Sequence, residues 1–323
     1  MDAQTATAVA DQPVDLREVM IQSFIDAVAD GVNLAVVVSD SSSTSKIAKF
    51  RKLHPERVVN VGIAEQSLVG TAAGLALSGY VAVTANAAPF LLNRANEQVK
   101  NDVCYSDTNV KMMGLNAGVA YGPLASTHHA IDDVSIVRGF GRVRIFAPAD
   151  PVEARQIFRY AFASDGPIYI RMDSGAYPLL HSPSYRFEPG VPDLLAEGED
   201  VLIVSYGTVV REAVEAQKTL AEEGISAGIL NVSSIRPLDG EIFAEYLRQA
   251  KRIVTVEEHS LHGGIGEIVC TALADRRIAR PLSRLGFADG EWAKAGPRAA
   301  IRAYHGIDSS GIAKAVRELM TAD

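Results

Sequence analysis

Several residue types are scarce in this chain of 323 residues, and each scarcity argues against a class of protein. It has two cysteines, Cys104 and Cys270, which lie far apart without Cys-x-x-Cys spacing. A disulfide framework or a thiolate metal site is therefore not expected. We expect a reducing, cytoplasmic compartment instead. Acidic residues outnumber basic residues, so the net charge is −8 and the pI is near 5.4. This balance argues against nucleic acid or an anionic membrane as a partner.

Charge is missing altogether from residues 67–92, a stretch long enough to raise the question of a membrane span. Polar residues and Pro89 interrupt it, and its alanines and glycines are typical of a packed helix, a turn and a buried strand. The first residues of the chain have neither the basic start nor the apolar core of a signal peptide. The sequence therefore predicts no membrane partner.

The rest of the chain alternates short apolar runs with helical patterns. Leu34–Val38 and Ile168–Arg171 are typical of buried parallel strands, and residues 17–29 form an amphipathic helical pattern. Such alternation predicts an α/β fold whose mostly parallel sheet carries helices on both faces. Prolines and glycines break the pattern between residues 174 and 199, after which a second unit of the same kind begins. We predict a flexible tail over 1–14, a first domain over 15–180, a linker over 181–198 and a second domain over 199–323.

The stretch from Val58 to Gly70 contains an isolated carboxylate, Glu65, among apolar and small side chains. Partial burial is expected there, and a buried carboxylate is costly unless it is paired or protonated. Such a group is a good partner for a ligand nitrogen. The alternative is an ordinary helix-start residue that the helix dipole favours, and spacing alone prefers that interpretation.

Other candidates have ordinary explanations beside the functional ones. Asp40 and Thr44 follow a predicted strand, where open α/β sheets bind ligands, yet a helix N-cap would explain them as well. The pair His128-His129 lies on a predicted loop, and loops often carry imidazoles without a catalytic role. Arg171 has the guanidinium geometry that suits phosphate or sulfonate oxygens, with a structural salt bridge as the alternative.

The segment Gly62-Ile63-Ala64-Glu65-Gln66 resembles the pyrimidine-domain signature of the transketolase family, especially of deoxyxylulose-phosphate synthases and split transketolases. Similar matches follow over residues 87–98, 116–129, 233–239 and 257–266, so the resemblance covers about residues 15–323. It implies a pyrimidine-binding domain for thiamine diphosphate, followed by a transketolase C-terminal domain. In this family the glutamate hydrogen-bonds the aminopyrimidine ring and promotes the imino tautomer that deprotonates the thiazolium carbon.

The resemblance also implies roles for individual residues. Glu65 and His128 would be catalytic. The expected contacts to the cofactor come from Glu65, Gln66, Phe90, Arg94 and Asp40. The expected contacts to the substrate come from Arg171, Asn116, Thr44, Arg17 and His129, with Arg171 on the distal anion and Arg17 as a weaker candidate for it.

The chain departs from the family pattern at several of these places. Ala87 and Asn93 stand where many transketolases carry further aromatic residues, so the platform for the cofactor ring is expected to be thinner. Leu124 replaces the aspartate that recognises a sugar hydroxyl, which puts the usual donor selectivity in doubt. Asn116 replaces a histidine and His129 a glutamine.

Full-length transketolases carry, ahead of the matching region, a domain whose Gly-Asp-Gly motif and later asparagine hold Mg²⁺ against the diphosphate. No Gly-Asp-Gly occurs in this sequence. We therefore expect a two-chain α2β2 enzyme in which the diphosphate and Mg²⁺ are held by a separate diphosphate-binding partner chain, and we predict no metal ligand in this chain. The predicted function is transfer of a two-carbon ketol unit from an anionic ketose to an aldose. The alternatives are the β subunit of a 2-oxoacid dehydrogenase and a non-catalytic assembly subunit.

Overall fold

The computed structural model describes residues 13–40 and 42–321. Its strands are, in chain order, β1 (Val14–Asp15), β2 (Leu34–Val38), β3 (Val58–Asn60), β4 (Val81–Ala87), β5 (Val110–Leu115), β6 (Arg144–Phe146), β7 (Ile168–Arg171), β8 (Ala176–Tyr177), β9 (Asp193–Ala196), β10 (Val201–Ser205), β11 (Ala227–Asn231), β12 (Ser234–Arg236), β13 (Ile253–Ser260) and β14 (Leu282–Phe287). The predicted tail over residues 1–14 lies almost wholly outside the described residues.

The α-helices are α1 (Leu16–Ala29), α2 (Ser42–Ser45), α3 (Ala48–Leu53), α4 (Glu65–Leu77), α5 (Asn96–Gln98), α6 (Asp133–Arg138), α7 (Pro151–Phe162), α8 (Val210–Glu222), α9 (Gly240–Gln249), α10 (Ile265–Asp275), α11 (Arg298–Tyr304) and α12 (Ser309–Thr321). Wider π-helical turns cover Phe90–Arg94 and Val99–Tyr105. Short 3₁₀ turns cover Pro55–Arg57, Gly122–Leu124 and Gly207–Val209.

The first domain is built on a sheet with the strand order β12-β6-β7-β5-β4-β2-β3. All neighbours are parallel except β12, and strand β2 shows how both faces are used. Val36 and Val38 pack into the cluster that contains Phe24 of α1, whereas Val37 packs into the cluster that contains Leu68 of α4. Because successive side chains of a strand point to opposite faces, β2 is apolar throughout. The predicted parallel sheet with helices on both faces is confirmed.

The second domain is built on a sheet with the order β14-β13-β10-β11-β9. Strand β9 lies inside the predicted linker 181–198, where the sequence pattern predicted no strand. The strand pairs antiparallel with β11 at the sheet edge. Its end needs Gly198, because a Cβ at that position would lie 1.9 Å from the backbone nitrogen of Gly228.

The two domains are interlocked. Strand β12 belongs by sequence to the second domain, yet it pairs antiparallel with β6 of the first sheet, with Ser234 opposite Phe146. Arg236 at the end of β12 donates a hydrogen bond of 2.7 Å to the carbonyl oxygen of Gly141. The backbone N–H of Ala147 also donates to the carbonyl oxygen of Ser233 at 2.8 Å. A segment of the second domain thus closes one edge of the first sheet.

A buried histidine adds a charged link between the domains. Nδ1 of His181 lies 3.0 Å from Asp150, the N-cap residue of α7, and Nε2 lies 3.0 Å from Asp193 of β9. Burial alone would lower the pKa of His181, but the two carboxylates raise it to about 10. His181 is therefore an imidazolium that joins the first domain to the edge strand of the second sheet.

The uncharged stretch 67–92 becomes most of α4, a turn and β4, as predicted. Among the described residues, no helix combines the length and the apolar character needed to cross a bilayer.

Candidate active site

The candidate residues meet at one edge of the first sheet. Asp40 follows β2, Glu65 begins the helix after β3, Phe90 follows β4 and Asn116 follows β5. Strands β2, β3, β4 and β5 are parallel neighbours, so their carboxyl ends share one edge. Ligands bind at this edge in open α/β sheets.

Glu65 is the first residue of α4 and is only 5% exposed, which confirms the expected burial. Nη1 of Arg94 donates a hydrogen bond of 3.0 Å to its Oε2. Nδ2 of Asn86, a polar residue inside the apolar strand β4, donates a longer bond of 3.4 Å to its Oε1. The carboxylate is thus a helix-start residue and also a buried acceptor whose Oε1 is only weakly engaged.

Arg94 connects Glu65 to an aromatic group. Its guanidinium carbon lies 4.3 Å from the ring centroid of Phe90, a cation–π distance. The ring of Phe90 in turn meets the ring of His128 edge-to-face, with centroids 5.2 Å apart. The Arg94 side chain is 52% exposed. A continuous set of contacts, here called the Glu65 cluster, thus joins Glu65, Arg94, Phe90 and His128. The cluster is buried at Glu65 and exposed to solvent at Arg94.

Two neighbours fix the ring of His128. The hydroxyl of Thr127 lies 2.9 Å from its Nδ1, and the ring of Tyr121 meets it edge-to-face at 5.5 Å. With Nδ1 engaged by Thr127, Nε2 is the ring nitrogen left to contact a ligand.

His129 points inward, unlike His128. Its Nε2 lies 3.0 Å from the carbonyl oxygen of Gly122, to which it donates. Burial lowers the pKa of His129, with the Gly122 carbonyl partly opposing, so the ring is neutral and Nδ1 is an acceptor. Within the described part of the chain, neither this buried Nδ1 nor the buried Oδ1 of Asn116 has a hydrogen-bond partner. Buried polar atoms with unused capacity are uncommon, and ligand sites are one place where they occur.

The remaining candidates lie around β2 and α4. Asp40 is exposed, and its backbone N–H donates to Asn60 at 3.0 Å. Gln66 is exposed beside Glu65. Arg17 donates a hydrogen bond of 3.4 Å to the carbonyl oxygen of Thr44 and forms a 2.7 Å ion pair with Asp15. The structure thus joins Arg17 and Thr44 to each other, and their predicted substrate contacts stay predictions.

Arg171, the last residue of β7, is engaged by other parts of the chain. The side chain is buried, and its Nε lies 2.9 Å from Asp133. Its Nη2 donates to the carbonyl oxygens of Ala130 and Glu258, at 3.3 and 3.0 Å. Burial opposes the charge, but the nearby Asp133 carboxylate raises the pKa of Arg171 above its ordinary value. This geometry favours the structural salt bridge, because Nε and Nη2 are engaged within the chain at the boundary with the second domain, and the contact with a substrate anion stays a prediction.

Three residues near the Glu65 cluster are absent from the candidates that the sequence predicts. Asn86 and Tyr121 contact Glu65 and His128 directly, and a polar residue in an apolar strand was the available signal for Asn86. Glu258 contacts the loop that carries His128, and two consecutive glutamates in the buried strand β13 were the signal there. In residues 13–40 and 42–321 the structure contains no group of three or more His, Cys, Asp or Glu side chains arranged to hold a metal ion.

Comparisons with known proteins agree with this architecture. The family model of the transketolase pyrimidine binding domain matches residues 12–178, and that of the transketolase C-terminal domain matches residues 191–312. One subunit of the apulose-4-phosphate transketolase of Actinobacillus succinogenes is 53% identical over 297 residues, which is 92% of this chain and 96% of the relative.

A more distant relative is the 6-deoxy-6-sulfo-D-fructose transketolase subunit SqwH of Clostridium sp., 32% identical over 85% of each chain. Among solved structures, a split gene transketolase described as an inactive beta4 tetramer superposes with a TM-score of 0.85 at 34% identity. That match covers 96% of this chain and 99% of the other. Since the matches extend over both domains, the chain belongs to the transketolase family.

Proposed function

We propose that the chain is the small, C-terminal subunit of a split transketolase that depends on thiamine diphosphate. It would help to move a two-carbon ketol unit from an anionic ketose to an aldose. The observation that carries the proposal is the Glu65 cluster, in which a buried carboxylate lies beside an aromatic ring and an imidazole at the carboxyl edge of a parallel sheet. The relatives named as transketolase subunits support it.

The Glu65 cluster fits the aminopyrimidine half of the cofactor. Oε2 of Glu65 is fixed by Arg94, whereas among the described residues Oε1 has only the 3.4 Å bond from Asn86. Oε1 would therefore accept a hydrogen bond from a ring nitrogen and exchange a proton with it. Phe90 is partly exposed and would offer a ring face for stacking. Thiamine diphosphate, when bound, supplies the carbon nucleophile that ketol transfer needs.

The other polar groups would orient the substrate. Nε2 of His128 would hydrogen-bond a substrate oxygen while Thr127 holds Nδ1. Nδ1 of His129 and Oδ1 of Asn116 are buried acceptors with unused capacity that would receive hydrogen bonds from substrate or cofactor. Binding a hydroxyl at these atoms would satisfy groups that are otherwise costly to bury.

We further propose that the diphosphate and Mg²⁺ are held by a separate partner chain, in an α2β2 assembly. The rim of the Glu65 cluster is open to a second chain, since Arg94 is half exposed and the apolar Ile63 and Leu124 are 77% and 52% exposed. The word "subunit" in the relatives' names supports the same proposal. Their substrates, one a phosphate and one a sulfonate, support an anionic ketose of either kind.

The proposal is tested by combining the chain with its partner subunit, thiamine diphosphate and Mg²⁺ and following ketol transfer. Glu65→Ala should lower turnover by at least about 100-fold, because it removes the proton-exchanging group, and should leave the complex assembled in light scattering. The matched control is Glu245→Ala, at an exposed glutamate of α9.

Full activity of Glu65→Ala would overturn the proposal and favour a non-catalytic assembly subunit. Turnover of a 2-oxoacid, with no ketol transfer by the unsubstituted complex, would favour the 2-oxoacid dehydrogenase alternative.

A further inference from the structure

Residues 116–131, here called the His128 loop, belong to the first domain by sequence but pack into the second. Val119 and Ile131, near the two ends of the loop, lie in the same hydrophobic cluster as Val256 and Phe287 of the second sheet. The backbone N–H of Ser260 donates to the carbonyl oxygen of Ile131 at 2.7 Å. Both ends of the loop are therefore held by the second domain.

The middle of the loop has its own link to the second domain. The hydroxyl of Ser126, two residues before His128, donates a hydrogen bond of 3.1 Å to the carbonyl oxygen of Ala293. Ala293 is itself buried in the second domain's cluster. The loop on both sides of His128 therefore contacts the second domain, whereas Glu65, Arg94 and Phe90 lie in the first.

Glu258 of β13 makes the strongest of these contacts. Its Oε1 accepts a hydrogen bond of 2.7 Å from the backbone N–H of Val119. The preceding residue must be glycine, because a Cβ on Gly118 would lie 2.3 Å from the same oxygen. Hydrogen bonds from a backbone N–H to a carboxylate are about twice as strong as neutral ones. Glu258 therefore fixes the position of the backbone at the start of the loop.

Two guanidinium groups hold the Glu258 side chain in turn. Nη2 of Arg298 lies 2.7 Å from Oε1, and Nε of Arg302 donates to Oε2. Arg298 also pairs with Asp173 of the first domain and donates to the hydroxyl of Tyr177 at 2.7 Å. Burial alone would raise the pKa of Glu258, but the two arginines and the Val119 N–H lower it to about 2. The carboxylate stays ionised and cannot turn away from the loop.

We propose that Glu258 is a positioning residue, through which the second domain sets the place of the His128 loop and hence of the His128 ring against Phe90. The ring of His128 contacts Phe90 and Tyr121 of its own loop, so any shift of the loop moves the imidazole relative to Phe90 and the other members of the Glu65 cluster. A misplacement of about 1 Å at a reacting group costs about 100-fold in rate. The catalytic part of this inference rests on the proposed function, whereas the hold on the loop is a property of the chain alone.

The hold on the loop is tested first on the chain alone, by amide hydrogen exchange of peptides that cover residues 116–131. Glu258→Gln keeps the shape and removes the charge, and should speed exchange in the loop by about tenfold or more. Ser126→Ala removes the weaker link and should speed it by less. Glu223→Gln, in an exposed ion pair of the same domain with Arg317, is the matched control and should change nothing.

Catalysis is measured next on the assembled complex with thiamine diphosphate and Mg²⁺. For Glu258→Gln, kcat should fall by about 10- to 100-fold, with KM for the donor changed by much less, because loop position affects the reacting geometry more than ground-state binding. A merely structural role would lower the amount of folded enzyme and leave kcat per folded complex unchanged. If Glu258→Gln does not fold, Ser126→Ala, which leaves every charge in place, carries both measurements.

Unchanged exchange in the loop would overturn the proposal, and so would faster exchange with unchanged kcat. Failure of the proposed function looks different, because Glu65→Ala would then keep full activity whatever the exchange experiment gives.

Discussion

Glu65 and Glu258 are glutamates of almost equal burial, 5% and 2% exposed, in different parts of the molecule. At the domain interface, Glu258 is neutralised by two arginines and a backbone N–H. At the sheet edge, Glu65 has one half-exposed arginine and a long bond from an asparagine. The difference shows that burial alone does not identify a site. A carboxylate whose acceptor capacity is filled holds the protein together, whereas one with capacity left over can receive a ligand.

Truncating both side chains and measuring unfolding in urea tests this difference between Glu65 and Glu258. Glu258→Ala leaves two arginines beside an empty space and should lower the free energy of unfolding by about 3–5 kcal/mol. Glu65→Ala should change it by less than about 1 kcal/mol, because Arg94 can turn into solvent. Equal losses in the two variants would contradict the distinction.

A second prediction concerns the other charged link of the domain interface. The pKa of His181 is about 10 in the folded protein and near 6.5 in the unfolded chain. Because the folded value is the higher one, the stabilisation is complete below pH ~6.5 and is lost as pH rises through about 10. Relative to His181→Gln, the free energy of unfolding should fall by on the order of 5 kcal/mol across this range. Denaturant titrations at several pH values measure it, and parallel curves for the two proteins would refute the link.

At the sheet edge the expected effects are on binding. Phe90→Leu removes the ring beneath Arg94 and beside His128, and should weaken thiamine diphosphate binding to the assembled complex by about tenfold. Tyr105→Leu, at an aromatic residue that is 89% exposed, is the matched control. Calorimetric titration of both variants with the cofactor gives the result, and equal affinities would remove Phe90 from the site.

The smallest effect on stability is expected at Leu124. Its side chain is half exposed on the His128 loop, so Leu124→Asp should change the free energy of unfolding by less than about 0.5 kcal/mol. The same substitution restores the aspartate of the wider family and should raise kcat/KM for ordinary ketose phosphates several-fold, by about 1 kcal/mol of added hydrogen bonding. Unchanged donor preference would show that Leu124 does not face the substrate.

The sequence was sufficient for the fold class and for the burial of Glu65, because both depend on local patterns. Apolar runs such as Leu34–Val38 report a buried strand directly, and one carboxylate among small apolar residues reports a buried charge. The outcome at Arg171 could not be read in the same way. Its guanidinium is engaged by Asp133 and by the carbonyl oxygen of Glu258, 38 and 87 residues away in the chain.

The same limitation explains the misread segments. The run that forms β9 is short and bounded by proline and glycine, so its pattern resembles a linker, and only the antiparallel partner β11 makes it a strand. Strand β12 likewise depends on β6, which lies in the other domain. Pairings across such distances are decided by tertiary contacts that local periodicity does not contain.

The capture of β12 by the first sheet has a consequence for anyone who divides the gene. A fragment that stops at the end of the pyrimidine-binding half would expose the backbone donors and acceptors of β6 along a bare margin. An exposed edge strand pairs readily with strands of other chains, so copies of the fragment would aggregate. The two domains are therefore best regarded as a single folding unit, and the first domain expressed alone is expected to aggregate.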